Sequence, residues 1–409
     1  MNLVPVSIES IRIGLPLPFP LVDKDGVLLA RKSFVVQSKE DLIDISNRGG
    51  GLYIHVSDSD ALHKAYLDQL QTLVREEKAL KEIAETKLTG SLGRKRTETD
   101  NERIDWLDLQ EQTNYLLHDT HANTFQQRLE QIEGVLHRAV QRNPDGALFA
   151  LIHLAATETR MYSATHALLV SVMCQLAAEE VLHWPDAERT TLGRAALLMN
   201  IGMTELQNRL AAQLEPPSDS QRAIIDSHPQ RSVAVLQSLG LGDETLLEAV
   251  REHHTRIYGS LGSRTVPLRL ARLIQRADMF AAQLALRASR VPVSPAAAMQ
   301  TCYFGEDRQV DEAGAALIKA VGIYQPGSFV RLATEEIAVV IRRGSNTATP
   351  RVAVLINRSG LPTVEPMQRD TGQKEYRIVA SVPHRDVKVK INLDKLLPLT
   401  TAPNAVRPW

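Results

Sequence analysis

From Ile104 to Pro326 the apolar residues recur at intervals of three and four, and from Gly327 the interval drops to two. That switch constrains the fold most: a long helical body must give way to antiparallel strands. Phe125, Leu129, Ile132, Leu136 and Ala139 carry a clear amphipathic stripe. It ends near Asn143-Pro144, because proline lacks the amide a helix interior needs. Helices are expected over 146–158, 162–182, 187–206, 219–238, 242–257, 266–288, 294–303 and 310–320. AALLMNIGM, residues 195–203, reads as the middle of the third of these. FVRLATEEIAVVIRR, RVAVLINRSG, EYRIVASV and DVKVKINL alternate as strands of a small antiparallel sheet should.

Ahead of the helical body, residues 1–58 read as a β-rich unit. Asp25-Gly26 between two apolar runs signals a hairpin. A short helix around Lys39 to Ser46 and a glycine turn at Gly49–Gly51 lead to another strand, LYIHV. A lone hairpin is too small to be stable, so the unit must pack on further elements. Residues 61–88 are rich in Leu, Glu, Lys, Gln and Ala without Gly or Pro and predict one long helix. The polar stretch 89–102 predicts a flexible linker. The expected organisation is therefore 1–58, 59–102, 103–326 and 327–409. The fold class is mainly α: an all-helical core flanked by a small N-terminal β-rich unit with a long helix, and by a small C-terminal antiparallel β subdomain.

A chain of 409 residues suggests two or three domains. Its net charge of −1 argues against a bulk electrostatic grip on a nucleic-acid polymer. Cys174 and Cys302 lie far apart and read as buried free thiols of a reducing compartment. MNLVPVSIES has neither a basic leader nor an apolar run, and no stretch approaches the ~18 apolar residues of a membrane span. The simplest expectation is a cytoplasmic protein.

Of twelve histidines, His55, His63, His137, His153, His183 and His384 stand alone, as solvated or hydrogen-bonded histidines do. His118, Asp119 and His121 lie beside a turn and read as surface. His166, His228, His253, His254 and Asp278 differ, because each falls on or at the end of a helix of the core. Imidazole and carboxylate groups brought together from several helices are how a bundle builds a metal site. Adjacent residues 253 and 254 point about 100° apart on a helix, so both serve one site only if it lies between their directions.

In this order the motifs resemble the HD-GYP branch of the HD phosphohydrolase superfamily over about residues 125–335. Tyr162-Ser163-Ala164-Thr165-His166 matches the opening Tyr-Thr/Ser-x-x-His. Leu197-Leu198-Met199-Asn200-Ile201-Gly202-Met203 stands where the family has Leu-Leu-His-Asp-Ile-Gly-Lys, with His, Asp and Lys all replaced. His228-Pro229, His253-His254-Thr255-Arg256 and Ala277-Asp278-Met279-Phe280-Ala281-Ala282 match the later motifs. The downstream arginines fall on Arg287 and Arg290, and the Gly-Tyr-Pro triplet itself is absent.

The resemblance implies two or three metals that activate water for hydrolysis of cyclic di-GMP, held by these ligands, with Arg287 and Arg290 meeting phosphate. Met199 and Asn200 weaken that implication. The missing aspartate is the family's bridging ligand; a carboxamide offers one neutral oxygen, and a thioether suits Cu(I) better than Mn, Fe, Mg or Zn. His228, His253 and His254 remain a three-imidazole set for one divalent ion, Fe, Mn or Zn, or for none. Two readings stay open. One is a non-catalytic signalling protein that binds cyclic di-GMP, a related nucleotide or a partner such as a diguanylate cyclase, as a monomer or homodimer. The other is a residual metal-dependent phosphodiesterase. A fold kept purely as an interaction scaffold is a third.

Overall fold

The computed structural model describes residues 3–6, 11, 17, 19–24, 27–31, 34, 36, 43, 45–46, 51–55, 104–120, 122–256, 259–289, 293, 295–389 and 391–401. Several expectations lie outside these residues: the Asp25-Gly26 and Gly49-Gly50 turns, the helix at 61–88, the linker at 89–102, His63, His121 and Arg290. The chain forms two compact units, 1–103 and 104–409.

In the first unit, β1 (Leu3–Pro5), β2 (Leu21–Val22), β3 (Leu28–Ala30) and β4 (Tyr53–His55) form an antiparallel sheet of order β1-β4-β2-β3. The expected hairpin is β2–β3, closed by the Asp23 amide donating to Val27 O and by the Asp23 carboxylate accepting the Val27 amide. It does not stand alone: β2 adds to β4 at Val22 and Tyr53, over a core that includes Leu17, Phe19, Leu21 and Ile54.

The second unit opens with α1 (Trp106–His118), α2 (Ala122–Arg142), α3 (Pro144–Thr157) and α4 (Tyr162–Leu176), the last prolonged by a π turn at Ala177–Val181. There follow α5 (Asp186–Leu198), a 3-10 turn at Ile201–Met203, α6 (Thr204–Ala212), α7 (Asp219–Ser238) and α8 (Glu244–Glu252). After them come α9 (Val266–Leu284), α10 (Pro295–Tyr303) and α11 (Glu312–Val321). Local chemistry sets several starts. Ser218 and Gln221 form a reciprocal capping box at α7, and Asp243 accepts the amides of Thr245 and Leu246 at α8. Helix α4 is the centre, with Ala164, Leu168, Leu169, Val170 and Val172 fully removed from solvent.

The predicted helix over 187–206 is two helices. Helix α5 ends at Leu198, and the chain turns at Asn200, whose backbone (φ −104°, ψ 9°) is not helical. AALLMNIGM is therefore a helix end and a turn, not a helix middle. Neither proline nor glycine precedes Asn200 to announce the break.

The C-terminal strands β5 (Phe329–Leu332), β6 (Ile337–Arg342), β7 (Arg351–Ile356), β8 (Pro362–Asp370) and β9 (Ile378–Val382) make an antiparallel sheet of order β8-β7-β6-β5-β9. Of the expected strand DVKVKINL the described residues 387–389 and 391–392 lie in no strand; Asp386 ends a 3-10 turn (His384–Asp386) and Leu393 opens α12 (Leu393–Thr400). The strand the sequence analysis omitted is β8, whose PTVEPMQRD contains two prolines and is exposed over much of its length. Both faces of the sheet are covered. Phe329, Val339, Ile341 and Ala353 pack on Phe149 of α3 and Leu396 of α12, while Val330, Ala338, Val340 and Val352 face Tyr324 and Tyr376. Gly327 sits at φ +91°, where a Cβ would come 2.9 Å from the Phe149 carbonyl oxygen, so glycine is required for this approach. No helix of the described residues is long and apolar enough to cross a membrane. Cys174 and Cys302 are buried free thiols, and burial pushes the Cys302 thiol up to about 12.

Arg343, just past β6, fastens the sheet to the helices. Its guanidinium donates to Asp145 at 2.7 Å, to Glu180 at 2.6 Å and to the last turn of α11 through Ala320 O at 2.6 Å. Burial raises the pKa of Asp145, and Arg343 opposes that shift. Replacing Arg343 by Met strands a largely buried carboxylate, a loss on the order of 3 kcal/mol. The Arg343→Met/Asp145→Asn double variant should recover part of it in thermal or urea unfolding, because the two residues are coupled.

Candidate metal and ligand site

The site is built around the break after α5. Gly202 lies so close to α7 that a Cβ would fall 2.6 Å from the Ser232 amide nitrogen. In return the Gly202 amide donates to Ser232 Oγ at 3.0 Å, so the turn is pinned one helical turn from His228. Met199, at the end of α5, is 1 % exposed and belongs to the apolar core. Asn200 is buried too, and its side-chain oxygen has no hydrogen-bond partner among the described residues.

His228 of α7 and His253, the residue that ends α8, come together with His254; their ligand nitrogens lie within 4.8 Å of one another. The backbone fixes the tautomers. His228 Nδ1 lies 2.5 Å from Ile225 O and His253 Nδ1 lies 2.6 Å from Val250 O. A carbonyl oxygen only accepts, so each Nδ1 carries the proton and each Nε2 presents a lone pair. Burial, with His254 and His228 adjacent, pushes His253 down to about 3, and burial lowers His228 as well. Both rings are thus neutral near pH 7, with bare Nε2 atoms 3.1 Å apart. Two lone pairs so placed repel unless a cation or a shared proton lies between them. Nitrogens each bound at about 2.0–2.1 Å to one ion in near-tetrahedral geometry are separated by roughly 3 Å. The donor set therefore fits a divalent ion, with the two carbonyls orienting the rings from behind.

The other pair closes on itself. His166 of α4 and Asp278 of α9 meet at 2.7 Å between Nε2 and Oδ1. Burial pushes the Asp278 carboxyl up, but the His166 hydrogen bond and the fields of His166, His254 and His253 outweigh it and hold the group well below the usual range. Nδ1 of His166 is buried without a partner among the described residues. The Tyr162 ring stacks on His166 at 5.6 Å, and Arg287 donates to the Tyr162 hydroxyl at 2.6 Å while lying 4.9 Å from the ring centroid. Arg287, expected at phosphate, is thus engaged in holding the tyrosine that backs His166. His118 and Asp119, expected at the surface, lie at the end of α1, where Asp119 pairs with Arg128 at 2.6 Å.

Sequence reasoning missed a second charged cluster on α9. Arg272 and Arg276 are almost wholly buried and share Glu306 and Asp311, with contacts from 2.6 to 3.3 Å. The Arg272 hydrogen bond holds Glu306 down to about 2. Their i, i+4 spacing was the available signal, but nothing in the sequence brings the distant carboxylates to them.

Parts of the chain are similar to known proteins. The family described as "HD domain" matches residues 150–314. A curated relative, the cyclic di-GMP phosphodiesterase PA4108 of Pseudomonas aeruginosa, is 27% identical over 231 residues, 55% of this chain and 55% of its own. The chain thus spans about half the length of that relative. A solved structure described as Bd1817, a HDG"Y"P protein from Bdellovibrio bacteriovorus, aligns with TM-score 0.43 and 15% identity, covering 77% of this chain and 98% of that one. Residues 150–314 are an HD domain. The chain is thus similar to HD-domain proteins over that span, within which Met199 and Asn200 lie.

The close approach at Gly202 gives a direct test. Gly202→Ala must push the turn away from α7, a cost of about 1–3 kcal/mol by overpacking. Thermal unfolding should register the loss, and the His228 ring resonances in NMR should shift while those of His384, in the turn after β9, stay put.

Proposed function

We propose that this chain is a cyclic di-GMP signalling protein whose HD domain serves as a receptor and not as a hydrolase. The observation that carries the reading is the unequal state of the two halves of the site. His166 is hydrogen-bonded to Asp278 and Met199 is in the apolar core, so one half has no imidazole-carboxylate pair to complete it. His228, His253 and His254 keep their donors converged. These three would hold a single divalent ion, Fe, Mn or Zn. When bound, such an ion supplies a Lewis acid for a phosphoryl oxygen. Ile225 O and Val250 O keep both imidazoles in the binding tautomer, and the carboxamide at Asn200 offers one neutral oxygen that cannot bridge two ions as a carboxylate does. Binding of cyclic di-GMP or a related nucleotide would then be passed to a partner, of which a diguanylate cyclase or a second copy of the chain is the natural candidate. We place the protein in the cytoplasm, where such a nucleotide signal is read.

The intact three-histidine set favours a second reading, a residual metal-dependent phosphodiesterase. Metal analysis with a cyclic di-GMP turnover assay decides between the two. The receptor reading expects at most one ion per chain and no turnover above a metal-free blank, with nucleotide binding by titration calorimetry. Turnover that disappears in His253→Ala would establish the hydrolase instead, and absence of nucleotide binding would leave only a scaffold.

A further inference from the structure

A cavity of about 250 Å3 opens beside the site, between the end of α1, the 201–203 turn, the first turns of α6 and one face of α7. Ile224 and Arg231 contribute the α7 wall. Residues 224, 228 and 231 are spaced four and three apart and share a helix face. Arg231 therefore stands about 4.5 Å of axial rise beyond the triad ligand His228. Arg209 of α6 lines the cavity as well. Neither guanidinium is paired with a carboxylate among the described residues; Arg231 makes a long contact of 3.4 Å to Gly202 O.

A helix end adds to the positive side of the lining. Helix α6 begins in this wall, and no side chain caps its first turn. Its amide end adds a partial positive charge on the cavity side. His118 donates from Nδ1 to Asn114 O at 2.7 Å, which leaves Nε2 as an acceptor 3.5 Å from the Asn208 amide. Glu205 is the acid of the lining, set against two arginines. The wall between the guanidiniums is apolar: Leu117, Ile201, Met203 and Ile224. Arginines facing one concavity without carboxylate partners suit a ligand that brings its own anionic oxygens, which a guanidinium takes in bidentate fashion.

We propose that this cavity is a phosphate subsite, clamped by Arg209 and Arg231, that seats a phosphodiester of a nucleotide whose other end reaches the His228–His253–His254 pocket. The inference rests on the nucleotide-receptor reading and refines it, because it moves phosphate recognition away from Arg287, which is engaged with Tyr162.

The test is titration calorimetry on the full chain with two probes, cyclic di-GMP and inorganic pyrophosphate, for the wild type and for Arg209→Gln, Arg231→Gln and Glu205→Gln. Arg358→Gln, on an exposed loop, serves as the charge control. A charged hydrogen bond lost from the clamp should weaken either probe by about tenfold or more per arginine. Glu205→Gln should tighten binding, and Arg358→Gln should leave it unchanged. Both arginine variants binding cyclic di-GMP as the wild type does would overturn the subsite while the receptor reading survives. Arginine-dependent binding of pyrophosphate without any binding of cyclic di-GMP would uphold the clamp and remove the cyclic dinucleotide as its ligand. If neither probe binds the wild type, both ideas fall.

Discussion

The carboxylate of Asp278 sets the terms for the helices around it. An ionised acid inside an all-helical core is strongly unfavourable unless a partner compensates it, and here the partner is His166 at 2.7 Å. That requirement ties α4 to α9 at one point, and the aromatic backing of Tyr162 and the guanidinium of Arg287 extend the same tie outward. Because α4 is buried almost throughout, the helices that pack on it inherit the geometry fixed by this pair.

Two other constraints act in the same way at different places. Ile225 O and Val250 O choose the tautomer of two imidazoles, so a pair of weak backbone acceptors decides that lone pairs and not protons face the cleft. Gly202 sets how near the turn after α5 can come to α7 and hence how close residues 199–203 stand to those imidazoles. Neither feature involves a group that reacts. Both determine what the three imidazoles are able to hold, while the other half of the site is closed by the His166–Asp278 hydrogen bond.

Much of this was legible in the sequence, and for physical reasons. Three-and-four spacing at Phe125, Leu129, Ile132, Leu136 and Ala139 predicts the buried stripe of α2, because helix faces depend on local spacing alone. The switch to period two after Gly327 predicts β5, β6, β7 and β9 for the same reason. The break at Asn200 was not legible, since it is imposed by packing against Ser232, thirty-two residues on, and not by a proline or glycine ahead of it. DVKVKINL alternates like a strand, yet its described residues pair with no strand, and PTVEPMQRD pairs with β7 in spite of its prolines. The motif spacing groups His228, His253 and His254, whose ring nitrogens the fold brings within 4.8 Å of one another, but which nitrogen each ring offers depends on carbonyls that only the folded chain places. The carboxylates that pair with Arg272, Arg276 and Arg343 lie far along the chain, so local spacing does not announce the pairing.

The burial of Met199 bears on how such a domain can change over time. A thioether in this position belongs to the apolar core, so reverting it alone to histidine would add a polar ring there while Asn200 still withheld the carboxylate of the pair. Both positions would have to change together before either brought an advantage. The substitution acts as a ratchet: the stability gained by filling the interior makes the earlier chemistry steadily harder to reach again.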